Sequence, residues 1–285
     1  VVAPVIGELH RTFRDPELEE RFRADGYVVL PLLTEHDVAH FRRRFDEWYP
    51  HARLDFETTA LNEHGDLHHL EVHEELRGWF QDRVDQVFDR QDIRHAYTMC
   101  KRGGTGEEGR SEVVLHQDWS YLDEREVRGA LVWCPLVDTT EENGWLQVVP
   151  GSHRITDRPR GTGLIPWPFA EVEAELREQL EPLPMRAGEV VVYDGALIHC
   201  SPPNRTDEDR PVLGLGLAPV GWPMLHFHSS DGRVLERFEV TDAFYLTHAL
   251  GGRPETGYVR VSQQPVDHAP VTPAEVQRLV APGRT

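Results

Sequence analysis

The sequence predicts a mainly β protein with flanking helices, a sandwich or jelly roll, and two observations carry that prediction. From about Ile93 onward, short β-type runs alternate with Gly and Pro turn signals, whereas residues 1–92 carry mainly helical periodicity. No break in composition divides the chain. Residues 1–285 are therefore read as a single domain: a helical part over 1–92, a jelly-roll core over 93–220, and an extension over 221–285 that completes the sheet or covers the pocket.

The elements follow in order. Asp15-Pro16 supplies an N-cap and a first-turn proline for a helix that runs to Gly26, and Tyr27 to Leu30 is a short apolar strand. Thr34 with Asp37 resembles a capping box, and Val38, Phe41, Phe45 and Trp48 line one face of the helix behind it. A third amphipathic segment starts at Glu74, with Leu76, Phe80, Val84 and Val87 on one side. Between these helices, Arg53 to His73 is polar and aperiodic and reads as loop. The β-type runs are Ala96 to Lys101, Glu112 to His116, Val127 to Val137, Leu146 to Val149, Glu189 to Tyr193 and Val212 to Val220. Pro168 to Leu180 is acidic and helix-compatible, an expected surface insertion. After Gly221 the signals are mixed.

Composition excludes several function classes. With 39% hydrophobic residues, seven Trp and eleven Phe, the chain has enough apolar material for a sizeable core. Its 49 acidic against 30 basic side chains give a net charge of -19, which repels phosphate backbones and anionic lipid surfaces. No nucleic acid and no membrane is expected as a partner. Lys101 is the one lysine, which reads as a compositional bias toward arginine. Cys100, Cys134 and Cys200 lack any paired spacing, as expected of reduced thiols, and neither a signal-peptide pattern nor a membrane-length apolar run is visible. The expectation is a cytoplasmic protein that acts on a small molecule. Its oligomeric state is not legible.

The chemistry concentrates in one pattern. His116 and Asp118 lie two apart at the end of a predicted strand, where alternate residues share a face and can grip one ion. His199, on a later predicted strand, supplies a third donor. Two histidines and one carboxylate leave octahedral positions open, the donor set of non-haem Fe(II) oxygenases. Arg210 lies eleven residues past His199. Its planar fork suits a dicarboxylate hung on such a metal, although Asp207, Glu208 and Asp209 beside it also fit an ordinary surface arginine.

These residues carry a resemblance. The chain resembles the phytanoyl-CoA dioxygenase family of Fe(II)/2-oxoglutarate-dependent oxygenases through Leu115 to Ser120, through Asn143 to Arg154, and through His199 followed by Arg210-Pro211. The segment Phe22 to Leu33 is similar to that family's N-terminal part, so the resemblance spans roughly Phe22 to Val220. It implies a double-stranded β-helix (jelly roll, cupin-like) core in which His116, Asp118 and His199 hold Fe(II) and Arg210 holds the distal carboxylate of 2-oxoglutarate. It further implies Ser201 beside that carboxylate, with Gln117 and Trp133 near the co-substrate and Met99 or Lys101 lining the same pocket. The activity implied uses O2 to decarboxylate 2-oxoglutarate to succinate while a small organic molecule is hydroxylated. Related halogenases lack the carboxylate ligand. Asp118 thus favours hydroxylation, or a desaturation or cyclisation begun by the same abstraction, over halogenation.

Other features weigh less. His64, His68, His69 and His73 could hold zinc on a helix, but their loop-like, acidic setting points to solvated side chains or the rim of a substrate entrance. His153 reads as a turn or rim residue, and His226 with His228 as the polar face of a half-buried strand. Trp119, Tyr121, Trp145 and Trp167 fit a pocket wall or a core equally well. Two other classes stay open: a catalytically silent binding protein on the same fold, and a zinc-dependent hydrolase or cupin-type isomerase. Neither needs Arg210. No basic cluster is present to hold the phosphates of a coenzyme-A thioester, so the family's name does not set the substrate.

Overall fold

Helix-stop and strand-start signals set the order of the elements. The computed structural model describes residues 10–49, 56–58, 68–104, 111–247, 252–254 and 257–280. Its N-terminal part comprises α1 (Pro16–Asp25), β1 (Tyr27–Pro31), α2 (Glu35–Trp48), β2 (Phe56–Thr58) and α3 (His68–Val87). The central strands are β3 (Gln91–Lys101), β4 (Val113–His116), β5 (Ala130–Pro135), β6 (Leu146–Val148) and β7 (Thr162–Gly163). After α4 (Glu173–Arg177) come β8 (Glu181–Leu183), β9 (Glu189–Tyr193), β10 (His199–Ser201) and β11 (Arg210–Pro219). The C-terminal part holds β12 (Met224–Ser229), β13 (Val234–Val240), α5 (Asp242–Thr247), β14 (Val259–Pro265) and α6 (Pro273–Val280).

Two sheets form the jelly roll. The larger runs β1-β9-β5-β11-β3-β2 and the smaller β4-β10-β6-β8. β11 is central, paired antiparallel with β3 on one side and β5 on the other. Its residues divide by parity. Leu213, Leu215 and Leu217 join Val190, Val192, Ala130 and Val132 in a core that packs on Phe41 of α2 and Leu76 and Phe80 of α3. Val212 faces the other way, with Trp133, Val191 and Tyr193, into the space between the sheets. The helices thus back the large sheet and leave its inner face for the site.

The expected helices are present. Asp15 caps α1, Gly26 closes it in the left-handed conformation, and both halves of the Thr34–Asp37 capping box are made. Val38, Phe41, Phe45 and Trp48 are buried.

Four expectations need correction. Of the expected loop over 53–73, residues 53–55 and 59–67 lie outside the described residues, but Phe56–Thr58 pairs with β3 and α3 begins at His68. His73 is buried there and its Nδ1 accepts the Ala96 amide at 3.0 Å, so it ties α3 to β3. The stretch 168–180 is anchored, with Phe169, Val172 and Leu176 fully buried against Leu115 and Ile198. All of β12 is buried, and His226 and His228 both bond the Thr162 hydroxyl, because the extension forms a third sheet, β14-β13-β12-β7. His153 does lie in a turn, the short 3-10 stretch Ser152–Arg154, but it is buried rather than at a rim: its Nε2 donates to the Arg23 carbonyl at 3.2 Å and its ring packs beneath Gly26. Among the described residues no helix is long and apolar enough to cross a membrane, and all three cysteines are free and buried.

Because Phe80 is fully buried between α3 and the sheet, Phe80→Ala is expected to cost about 3–5 kcal/mol of stability. Thr34→Ala, which removes half of a capping box, is expected to cost about 1 kcal/mol. Urea denaturation of the two variants checks this ordering.

Candidate metal and co-substrate site

Antiparallel pairing of β4 with β10 places His116 directly opposite His199, with ring centroids 4.2 Å apart. Each histidine is aimed by its own backbone. His116 Nδ1 donates to the Val114 carbonyl at 2.8 Å and His199 Nδ1 to the Leu197 carbonyl at 2.9 Å, which turns both Nε2 atoms toward Asp118. Those nitrogens lie 3.7 Å from Asp118 Oδ1 and Oδ2 respectively. One donor atom from each of the three residues falls within 4.8 Å of the others, the one such group among the described residues. His116 and Asp118 keep 32% and 31% of their side-chain surface accessible, so the group sits in a recess that a small molecule can reach.

Asp118 lies just past the end of β4 and is fixed by its surroundings. Its amide donates to the Gly195 carbonyl at 3.0 Å, and its own carbonyl accepts from Arg160 Nε at 2.6 Å. Arg160 is held in turn by Glu124. The Tyr193 hydroxyl, at the end of β9, donates to Asp118 Oδ2 at 3.0 Å. Burial alone would raise the Asp118 pKa, but His199, His116 and the Tyr193 hydroxyl outweigh it and hold the carboxylate ionised. Burial and the neighbouring His116 depress His199 to about 4, so its nitrogen is an unprotonated donor at neutral pH. Burial also disfavours the charged form of His116, but Asp118 beside it reverses the sign and raises its pKa.

A second group lies on the inner face of the large sheet. Arg210 opens β11 and pairs in register with Lys101, the last residue of β3. Arg210 is 3% exposed, and its Nε and Nη1 are buried with no hydrogen-bond partner among the described residues. Its guanidinium carbon lies 5.1 Å from the centre of the Trp133 ring. Lys101 has no exposed surface, and its Nζ donates to the Ser201 hydroxyl at 2.7 Å, to the Ser201 carbonyl at 2.9 Å and to the Pro202 carbonyl. The Ser201 hydroxyl passes its own proton to the Gly144 carbonyl at 2.8 Å. Burial lowers the Arg210 pKa to about 10, and burial with the adjacent Arg210 lowers Lys101 to about 6. Two basic side chains share one buried place, and among the described residues no acid hydrogen-bonds either of them. Such a place suits an anion.

The structure therefore brings together His116, Asp118 and His199 in one group and Arg210, Ser201, Lys101 and Trp133 in another, with Met99 half-buried on the same face of β3 as Lys101. Gln117 goes elsewhere. It alternates with its metal-group neighbours, donates to the Ala196 carbonyl at 2.6 Å, and lines with Trp119 and Trp167 a separate cleft of about 380 Å³. Tyr121 is buried with its hydroxyl toward the Ala130 and Leu217 carbonyls and its ring edge-on to His95. Two contributors escape a reading of the sequence. Tyr193 is visible only as the last residue of a strand, and Arg160 sits in a stretch without periodicity.

A jelly roll with two histidines and a carboxylate facing a cationic pocket defines a class, the metal-dependent oxygenase type of site. Comparison with known proteins gives the family. The model of the phytanoyl-CoA dioxygenase family matches residues 22–212, and the chain belongs to that family. It is 33% identical over 255 residues to phytanoyl-CoA dioxygenase domain-containing protein 1 of Danio rerio, a match covering 68% of this chain and 86% of that one. The Dictyostelium discoideum homologue of that protein is 30% identical over 131 residues, and there the chain spans 43% of its relative's length. Among solved structures, the epimerase SnoN, in complex with Fe3+, alpha ketoglutarate and nogalamycin RO, aligns with a TM-score of 0.55 at 20% identity, covering 90% of this chain and 97% of SnoN. The carbocyclase SnoK from nogalamycin biosynthesis aligns with a TM-score of 0.53 at 21% identity, covering 87% and 96%. These two share the fold.

If the Tyr193 hydroxyl orients Asp118 for metal, Tyr193→Phe is expected to weaken Fe(II) binding by about 10-fold while leaving the protein folded. Competition against a chromophoric chelator measures this, and unchanged affinity would mean the hydrogen bond is idle.

Proposed function

We propose that this chain is a non-haem Fe(II)- and 2-oxoglutarate-dependent dioxygenase that oxidises a small organic molecule of secondary metabolism, with hydroxylation as the default outcome. The observation that carries the reading is the pair Arg210 and Lys101, buried side by side with Arg210 Nε and Nη1 unpartnered among the described residues. A distal carboxylate completes Arg210, with Lys101 beside it. The donor set fits the metal: two imidazole nitrogens and one carboxylate, held within one ion's reach by hydrogen bonds on their outer sides.

With iron bound, 2-oxoglutarate and O2 supply the oxidising power, the oxo acid leaving as succinate and CO2 while a substrate C–H bond is oxidised. The chain's share is positioning. Arg210 would hold the distal carboxylate through donors that have no partner among the described residues, with Lys101 and Ser201 beside it and Trp133 against the guanidinium. His116, Asp118 and His199 would supply three donors to the metal, and its remaining positions would take the co-substrates. With Asp118 as a ligand, hydroxylation is favoured over halogenation, while the epimerase and carbocyclase of the same fold make ring closure or epimerisation the alternative outcome.

A silent binding protein has no use for an ion-ready triad beside two buried basic side chains, and an isomerase or hydrolase has no use for a dicarboxylate clamp. Both Arg210 and Lys101 speak against them. The net charge of -19 likewise disfavours a highly anionic thioester substrate.

Incubated with Fe(II), 2-oxoglutarate and O2, the protein is expected to form succinate slowly without substrate and faster with it. Asp118→Ala should abolish this. Arg210→Leu should raise the KM for 2-oxoglutarate about 10–100-fold, the worth of one or two charge-assisted hydrogen bonds. Succinate at wild-type rate in Asp118→Ala would sink the proposal. Lys101 gives a second check. Its pKa of about 6 leaves it mostly neutral at pH 7.5, and a carboxylate beside it raises that pKa, so 2-oxoglutarate binding should take up a proton. Calorimetry in buffers of different ionisation enthalpy measures the uptake, which should approach one proton in wild type and vanish in Lys101→Met.

A further inference from the structure

The inner face of β3 works as a ruler. Lys101, Met99, Tyr97 and His95 occupy alternate positions along it, facing the same way as Arg210, Val212, Gly214 and Gly216 on β11. Alternate residues on a strand lie roughly 6–7 Å apart. Lys101 marks the anion pocket. Tyr97 marks the level of the metal group, because it lies close enough to Tyr193 and Asp118 for both to act on its ionisation, and the Tyr193 hydroxyl reaches Asp118. His95 lies one step further, on the side away from the anion pocket, within electrostatic reach of Asp118.

The strand opposite is cut back to make room. A Cβ on Gly214 would stand 2.2 Å from the Tyr97 ring, and one on Gly216 only 1.9 Å from the His95 ring. Both rings lie over bare backbone. Around His95 stand Tyr97, Tyr121 and Tyr245, with ring centroids 5.7, 5.5 and 6.1 Å away, Tyr245 being contributed by α5 of the C-terminal part. Two of the tyrosine hydroxyls are engaged, and the third lies near Tyr193. Tyr121 donates to the Ala130 and Leu217 carbonyls, and Tyr245 to the Leu225 carbonyl. What these three offer inward is aromatic face.

His95 differs. It keeps part of its surface accessible, and its Nδ1 is buried with no hydrogen-bond partner among the described residues. A ring nitrogen left so is a cost unless something binds it. Burial and the neighbouring His73, against the weaker pull of Asp118, hold His95 down to about 4, so it meets a ligand as a neutral imidazole.

We infer that His95 recognises the substrate of the proposed oxygenase: its imidazole hydrogen-bonds a hydroxyl on an uncharged, ring-bearing molecule whose flat face lies among Tyr97, Tyr121 and Tyr245. The inference rests on the oxygenase reading. It adds the substrate's class and its orientation, ring toward α5 and 2-oxoglutarate toward Lys101.

The test is anaerobic calorimetry with three probes, 2-naphthol, naphthalene and 2-naphthoate, titrated into protein already loaded with Fe(II) and 2-oxoglutarate. The loading titration stands alone: if iron and 2-oxoglutarate do not bind, the oxygenase reading fails. With loading achieved, wild type is expected to bind 2-naphthol about 10-fold more tightly than naphthalene, the worth of one hydrogen bond, and 2-naphthoate more weakly than 2-naphthol. His95→Phe should lose the preference for 2-naphthol without changing 2-oxoglutarate affinity, and His95→Gln, which still hydrogen-bonds, should retain it. The inference is overturned by equal binding of 2-naphthol and naphthalene, by no binding of 2-naphthol, by tighter binding of 2-naphthoate, or by a preference that survives in His95→Phe.

Discussion

Arg210 and Lys101 meet across the end of the β3–β11 pair, and burying two basic side chains there is the constraint to which the rest of the site answers. Each loses its hydration, and burial with the neighbouring Arg210 holds the pKa of Lys101 down to about 6. The protein offsets part of this. Lys101 Nζ lies against the Ser201 hydroxyl and two backbone carbonyls, and Arg210 leans on the face of Trp133. It leaves the remainder open. No carboxylate pairs with Arg210 among the described residues, which is how a pocket stays selective for an anion from outside.

The metal group depends on the same sheet geometry. Ser201 and His199 lie two apart on β10, so both face inward, one toward the anion pocket and the other toward Asp118. A bidentate dicarboxylate of the right length can therefore touch both groups at once. Parity also explains the core. The leucines of β11 point outward into the helices, while its glycines point inward, where Tyr97 and His95 need the space. One strand thus separates the apolar body of the protein from its polar chamber.

Much of this was legible in the sequence, and the reasons are local. The caps of α1 and α2 are written in adjacent residues, as is the spacing of His116 and Asp118 on one strand face. His199 and Arg210 were reachable because the strand–turn–strand pattern around them is short. What could not be read depends on pairing between distant strands. Tyr193 reaches Asp118 only through the order β9-β5-β11 and the closing of the two sheets. Lys101 stood only as an alternative to Met99 for the pocket wall until the register set it beside Arg210. His73 looked like a loop residue because the start of α3 lacks an apolar face of its own, its burial being supplied by β3. The all-buried β12 likewise required the third sheet, whose strands carry no motif.

The central claim is that the triad and the cationic pocket act together on one bidentate ligand. Anaerobic addition of Fe(II) and then 2-oxoglutarate to the metal-free protein tests it most directly, through the visible charge-transfer absorption of a 2-oxo acid chelating Fe(II). The account predicts that the band appears at about one equivalent of iron, is lost in His116→Ala, and in Arg210→Leu needs far more 2-oxoglutarate to develop. A wild-type protein that gives no band, or a band that persists in His116→Ala, would contradict it.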